Sequence, residues 1–291
     1  MKTAKLAKSY RIDDGKHFRL KDFDPADTGH WHSVEQAKEQ LQKDIARMEE
    51  LQSKLYAQDC WSLLLIFQAM DAAGKDGTIK HVMSGVNPEG VQVTSFKTPS
   101  ATELQHDFLW RTTQHLPESG HIGIFNRSYY EEVLVVRVHS KVLEGEKLPS
   151  SLVTKNIWEE RFEDIRSFER HMSRNGTVIR KFFLHLSKKE QKRRFLARLD
   201  EPEKNWKFSA ADIHEREYWD DYQNAYEDMI RNTSSKHAPW YVIPADNKWF
   251  THLAVSAAMV ETLEELDLSY PKVDAAKRKE LEAARKLLLK K

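Results

Sequence analysis

Leu63-Leu-Leu-Ile-Phe-Gln-Ala-Met-Asp-Ala-Ala-Gly-Lys-Asp-Gly77 is the stretch that decides the fold. Its apolar run reads as a buried strand that breaks into a Gly-Lys turn opening a helix, the layout of a loop that grips phosphate. Lys75 supplies a point charge, and the helix start behind it supplies free backbone N–H groups and a positive dipole end. Ala72, Ala73, Gly74, Asp76 and Gly77 complete the loop. Two positions depart from the G-x-x-x-x-G-K-[ST] pattern. Ala69 replaces the first Gly, and Asp76 replaces the hydroxyl that would meet magnesium. An extra acid, Asp71, lies inside the loop. Two carboxylates would repel a bare phosphate chain, but they suit a site with Mg²⁺ between, since that ion takes one or two carboxylates plus phosphate oxygens. A plain polar turn is the competing reading; the strand before and helix after favour phosphate.

Outward from this stretch the pattern alternates. Ser33 with Gln36 makes a capping box, and Val34, Ala37, Leu41, Ile45, Met48, Leu51 and Leu55 recur every three or four residues, predicting a long helix before the strand at 61–69. Further strands are expected at 91–96, 122–125, 177–186 and 240–243. Helices are expected over 74–84, 100–115, 128–138, up to Met172, 187–199 and 247–266. Alternation without internal repeats argues for an α/β fold, an open parallel sheet with helices on both faces. Ligands in such sheets bind beyond the carboxyl ends of the strands, so 70–75, 126–127 and 187–189 should converge. Residues 1–32 read as a polar arm wrapped on the surface, and 269–291 as a charged C-terminal helix.

Composition narrows the classes. With 40% hydrophobic residues and eight Trp among 291, the chain can bury a substantial core. A net charge of +1 with 31% charged residues gives no bulk attraction to nucleic acid or membrane. The single cysteine, Cys60, excludes an intrachain disulfide and a multi-thiolate metal site; beside an apolar strand it reads as a buried structural residue. The basic N-terminus lacks a following apolar segment, and no apolar run approaches a membrane span, so a cytoplasmic protein is expected.

Two further constellations carry chemistry. Phe125-Asn-Arg-Ser-Tyr-Tyr-Glu-Glu132 ends a short apolar strand, where a phosphate-loop enzyme would place a Walker B acid. Here Asn126 stands in that position, Glu131 could reach back as the missing carboxylate, and Arg127 offers a planar fork for phosphate oxygens. A simple surface ion pair between Arg127 and Glu131 is the alternative. The basic segment from Lys188 to Arg198, continuing to Lys204-Asn-Trp-Lys-Phe208, suits a mobile lid closing cations over phosphates. A solvated face, or a nucleic-acid-binding strip, competes with that reading. His81, His106 and His139 have no metal-ligand spacing and read as structural.

Met70-Asp-Ala-Ala-Gly-Lys-Asp-Gly77, Gly85-Val-Asn-Pro-Glu-Gly90, Phe96-Lys-Thr-Pro99, Leu109-Trp-Arg111, Phe125-Asn-Arg-Ser-Tyr-Tyr-Glu131 and Trp206-Lys207, in this order, resemble the polyphosphate kinase 2 family over about residues 15–268. The resemblance implies a three-layer α/β/α phosphate-loop kinase-like fold at 33–268, with a helical lid at about 187–232. It implies Mg²⁺-dependent phosphoryl transfer between inorganic polyphosphate and nucleotides. Asp71 looks like the family's metal- and phosphate-positioning acid, Lys75 its loop lysine, Arg127 its second-motif arginine, and Arg194 and Arg198 its lid arginines. The Asn126 version, with Glu131 as a second metal ligand, resembles the subgroup acting on both nucleoside mono- and diphosphates. Adenine nucleotides are the expected substrates, with guanine nucleotides as further candidates, and a homo-oligomer, dimer or tetramer, is expected.

The chemistry asks mainly for alignment and charge neutralisation. A nucleotide phosphate with a second pKa near ~6 is already a dianionic nucleophile at neutral pH, so no general base is needed. Lys97, Arg111, Lys204 and Lys207 are candidates for a channel holding the distal polyphosphate chain. An ATP-dependent nucleoside monophosphate kinase and a non-catalytic polyanion-binding module are the alternatives.

Overall fold

The computed structural model describes residues 3–289; the ends of the expected arm and tail, 1–2 and 290–291, lie outside the described residues. Its strands are β1 (Arg11–Ile12), β2 (Ser62–Gln68), β3 (Val91–Ser95), β4 (Ile122–Asn126), β5 (Thr177–His185) and β6 (Trp240–Pro244). The helices are α1 (Thr3–Lys8), α2 (Val34–Gln58), α3 (Lys75–Val82), α4 (Trp110–Thr113), α5 (Val135–Val138), α6 (Ile157–Arg174), α7 (Lys188–Asp200), α8 (Ala211–Glu215), α9 (Trp219–Thr233), α10 (Lys248–Glu264) and α11 (Ala275–Leu288).

The strands form one sheet in the order β1-β6-β5-β2-β4-β3, parallel except for β1, which pairs antiparallel with β6. β2 sits near the centre and is buried along its whole length. Because successive side chains alternate, Leu63, Leu65 and Phe67 enter the core beneath α2 and α10, while Leu64 and Ile66 enter the core beneath α6 and α9. Each such side chain contributes about 1.5–3 kcal/mol of burial. This two-sided burial is why the run is continuously apolar. In register, Phe67 faces Asn126 across to β4, and Gln68 faces Phe183 on β5. The loops after β2 and β4 therefore emerge side by side, at the carboxyl edge of the sheet.

Several expectations are revised. The 1–32 segment is not a mere surface wrap: Leu6, Ala7, Tyr10, Phe18 and Leu20 are buried, and β1 extends the sheet. The Ser100–Glu103 capping box forms, with both reciprocal bonds, but it opens only a 3-10 turn at Glu103–Gln105 before the separate α4. Asp107 caps the Leu109 amide and restarts the chain there. The 128–138 helix likewise divides into a 3-10 turn, Tyr129–Val133, and the short α5, because Leu134 adopts non-helical dihedrals. Cys60 is exposed, not buried; it lies in the turn ahead of β2 and its thiol donates to the Gln58 carbonyl. The span expected as lid, 187–232, also splits. Trp219, Tyr222, Tyr226, Met229 and Ile230 bury α9 in the core, which leaves 188–218 as the part outside it. Among the described residues no helix is long and apolar enough to cross a membrane.

Candidate active site

A cavity of about 690 Å³ opens at the carboxyl edge of the sheet. It is lined by the whole 71–78 loop and helix start, by Asn126 and Arg127, by Lys97, and by Arg193, Arg194, Arg198, Lys204, Lys207 and Lys248. Nine cationic side chains thus face three carboxylates, Asp71, Asp76 and Glu201, in a chain whose net charge is +1. Positive charge concentrated this way in one concave site draws polyanions.

The loop takes its shape from Gly74, at φ +103°, which lets the chain turn into α3 at Lys75. Ala72, at φ +63°, shares the left-handed region without a glycine's freedom, so its neighbours must hold it there. The Lys75 ammonium is half-buried and donates to the Ala69 carbonyl at 3.0 Å. Burial, followed by the nearby Arg127, lowers its pKa, so its charge gains from meeting an anion. Ala69, where the pattern expects Gly, packs into the core.

Across the β2–β4 boundary, Asn126 Nδ2 donates to Asp76 Oδ1 at 2.6 Å. The two departures noted in the sequence therefore face each other. The acid has moved from the strand end to the loop helix, and a neutral polar partner has moved the opposite way. Arg127, also left-handed at φ +64°, bridges two carboxylates, Asp71 at 3.4 Å and Glu131 at 3.4 Å. Glu131 keeps the Arg127 pKa raised. Burial pushes that of Glu131 itself upward. Glu131 does not line the cavity: one oxygen meets Arg127, and the other accepts from Gln68 at 2.8 Å, whose amide oxygen accepts from Ser128. The expected Asp71–Glu131 metal pair is thus filled by a guanidinium, because the i,i+4 contact is shorter than the reach into the cavity. Asp71 and Asp76 are the carboxylates open to it, a donor set suited to an ion that takes the rest of its oxygens from phosphate and water.

The remaining expected residues divide. Lys97, Arg198, Lys204 and Lys207 line the cavity; Arg198 is paired with Asp212 at 3.2 Å, and Lys204 with Glu201. Arg111 does not: it is buried, stacks on Phe96 and donates to the Lys97 carbonyl at 2.9 Å, lining instead a separate cavity of about 280 Å³. Arg194 lines the phosphate cavity, but every guanidinium N–H is already directed at a protein acceptor. His81, read as structural, lines the cavity wall and stacks on His252 at 4.4 Å. His106 stacks on Trp110, and His139 hydrogen-bonds Glu215 at 3.0 Å, in keeping with structural roles. Sequence reasoning missed Arg193, Lys248, His252 and Gln68. For Lys248 a signal existed, a lysine opening the helix that follows β6. For Gln68 it was the lone polar side chain at the end of an apolar strand.

Known proteins share this arrangement. The family described as polyphosphate kinase 2 matches residues 32–271. An ADP-polyphosphate phosphotransferase of Rhodopseudomonas palustris is 56% identical over 284 residues, covering 94% of this chain and 98% of that protein. An AMP/ADP-polyphosphate phosphotransferase of Meiothermus ruber is 48% identical over 273 residues, with the same coverage of 94% and 98%. The crystal structure of polyphosphate kinase 2 from Arthrobacter aurescens superposes with a TM-score of 0.87 at 40% identity, covering 96% of each chain.

Proposed function

The chain belongs to the polyphosphate kinase 2 family, and from that premise we propose that it transfers phosphoryl groups between inorganic polyphosphate and adenine nucleotides, AMP to ADP and ADP to ATP. The observation that carries this reading is the 690 Å³ cavity, in which nine cations surround a phosphate loop whose acids are exchanged with its strand partner. Such a surplus suits two polyanions at once, which a site for one nucleotide does not require.

Asp71, together with Asp76, would hold Mg²⁺ in company with phosphate oxygens; bound there, the ion would neutralise charge on the transferring group. Lys75 gives up its contact with the Ala69 carbonyl to reach phosphate, and the α3 amides receive the same oxygens. Arg127 is held by Asp71 and Glu131 in a fixed plane, ready for bidentate contact with the group in flight. Lys97, Arg198, Lys204 and Lys207, with Arg193 and Lys248, line the track for the distal chain. No side chain needs to take a proton, because the acceptor phosphate is ionised at neutral pH. A phosphoanhydride is broken and another made, so the reaction runs both ways. We read the enzyme as cytoplasmic. We also read it as a homo-oligomer, for which the full exposure of α11 is the supporting feature; light scattering tests the assembly.

The direct test is to incubate the protein with AMP, Mg²⁺ and polyphosphate, without ATP. ADP and then ATP should form by chromatography. Neither forming, or turnover appearing only with ATP as donor, would sink the proposal.

A further inference from the structure

We infer that Arg194 and Gln191 are positioning residues that hold the phosphate loop in shape from α7, and that Arg194 is not a phosphate ligand. The inference rests on the proposed transfer reaction for its kinetic consequences but not for its geometry. Arg194 is 6% exposed. Its Nη1 donates to the carbonyls of Ala72 at 3.0 Å and Ala73 at 2.8 Å, and its Nη2 to those of Ala245 at 2.6 Å and Asp246 at 3.1 Å. Its Nε donates to Glu190 at 2.8 Å. A guanidinium has five N–H groups, so none remains for a phosphate oxygen. Freeing one would strand a buried carbonyl or carboxylate, which costs more than a single contact returns. One turn earlier, Gln191 is 1% exposed and donates to the Asp71 carbonyl at 3.0 Å.

Three consecutive loop carbonyls, Asp71, Ala72 and Ala73, therefore accept from two side chains of one helix. The consequence lies on the other face of the loop. In a trans peptide C=O and N–H point in opposite directions. With the Asp71 and Ala73 carbonyls turned to α7, the N–H groups of Ala72 and Gly74 turn away from it, and both residues line the cavity. The clamp thus aims backbone donors at the phosphate position and accounts for the left-handed Ala72, which the loop alone would not keep. Gln191 also links outward. Its Oε1 accepts from Arg216 at 2.7 Å, and Arg216 donates to the Lys188 carbonyl at 3.1 Å, so one amide connects the far limb of the lid to the Asp71 backbone. Arg193, next to Arg194 but with a side chain 69% exposed, has the opposite character, since its cation is available to the cavity.

The test compares Arg194→Lys, Gln191→Glu and Arg193→Ala with the parent protein. Gln191→Glu keeps an acceptor for Arg216 and removes only the donor to Asp71. Hydrogen exchange of the free protein, read on peptides spanning 69–77, should accelerate by about tenfold or more in the first two variants, as the loss of one or two charge-assisted or buried bonds implies, and stay unchanged in Arg193→Ala. With long-chain inorganic polyphosphate as the probe, the first two should lower kcat by about 100-fold while leaving the Kd within about twofold, as a misplaced loop predicts. Arg193→Ala should instead weaken binding and flatten its salt dependence. Unchanged loop exchange in Gln191→Glu would overturn the inference. So would an Arg194→Lys protein that keeps parental exchange but loses polyphosphate affinity and salt dependence. If Arg194→Lys does not fold, Gln191→Glu decides alone. If the parent lacks polyphosphate turnover, the functional reading fails while hydrogen exchange still judges the clamp.

Discussion

Replacing Asn126 by Asp tests whether the exchanged pair is one unit. The substitution sets a second carboxylate where Asn126 Nδ2 now donates to Asp76 at 2.6 Å. With charge centres about 4 Å apart, two unit charges repel by about 1 kcal/mol in water and about 4 kcal/mol at the effective dielectric of a protein surface. Asp76 is exposed and Asn126 half-buried, so a value near ~2 kcal/mol is appropriate. Loss of the hydrogen bond to a charged acceptor adds about 1.5–3 kcal/mol. If the sum falls on the reactive geometry, kcat/KM drops by about 100- to 1,000-fold. Two carboxylates in contact share a proton, so the deficit should narrow as pH falls. The assay is polyphosphate-driven phosphorylation of ADP at fixed free Mg²⁺, with variant and parent compared from pH 8.5 to 6. Asn126→Asp should recover by about tenfold relative to the parent at the acid end. Asp76→Ser/Asn126→Asp, which restores the common hydroxyl–acid arrangement, should be markedly more active than Asn126→Asp alone. A single variant with near-parental activity and a flat pH ratio would refute the reasoning. A double variant no better than the single would refute it equally.

Other outcomes follow from the same structure. Lys75→Ala and Asp71→Asn should abolish transfer with melting temperatures close to the parent's, because both side chains face the cavity; substantial residual turnover in either refutes its role. Lys181 and Glu169 are buried, bonded at 2.7 Å and tied to Tyr129, Tyr130 and the Thr233 carbonyl, beneath the turn that carries Glu131. Lys181→Met should cost about 3–5 kcal/mol in urea unfolding, because it leaves a carboxylate buried and unpaired. Lys181→Met/Glu169→Gln should cost less than the two single changes added together, and strict additivity would count against the network. His185 is held neutral by burial, with its pKa down to about 4, against about 6.5 when unfolded. The unfolded state then binds the extra proton, so this contribution is fully present above about pH 6.5 and fades as pH falls toward about 4, by about 3 kcal/mol in all. His185→Asn should flatten that part of the stability–pH curve, and an unchanged slope would show that His185 does not carry it.

The parts legible in the sequence are those governed by local rules. Continuous apolar character reported that β2 is buried on both faces, Ser33 and Ser187 marked helix starts that do form, and Gly74-Lys75 placed the phosphate loop. Hidden from it were breaks set by single residues. The Ser100 cap forms, yet the helix behind it stops where Asp107 takes over the backbone. Burial of α9 was likewise concealed, because its aromatic residues look the same in a lid as in a core.

At the site the division is sharper. The sequence by itself determined which chemical groups are present and which loop holds them, since phosphate binding needs a strand, a turn and a helix start that are contiguous in the chain. What each group does depended on partners 50 or more residues away. Only the tertiary structure decided that Asp76 answers Asn126, that Glu131 serves Arg127 and Gln68 before any metal, that Arg111 supports Lys97 from behind, and that the Arg194 donors are used up on carbonyls. The physical reason is that a charged side chain is free for a ligand only when no nearer acceptor satisfies it. Nearness across a sheet is set by which strands pair, a relation that the order of residues along the chain does not contain.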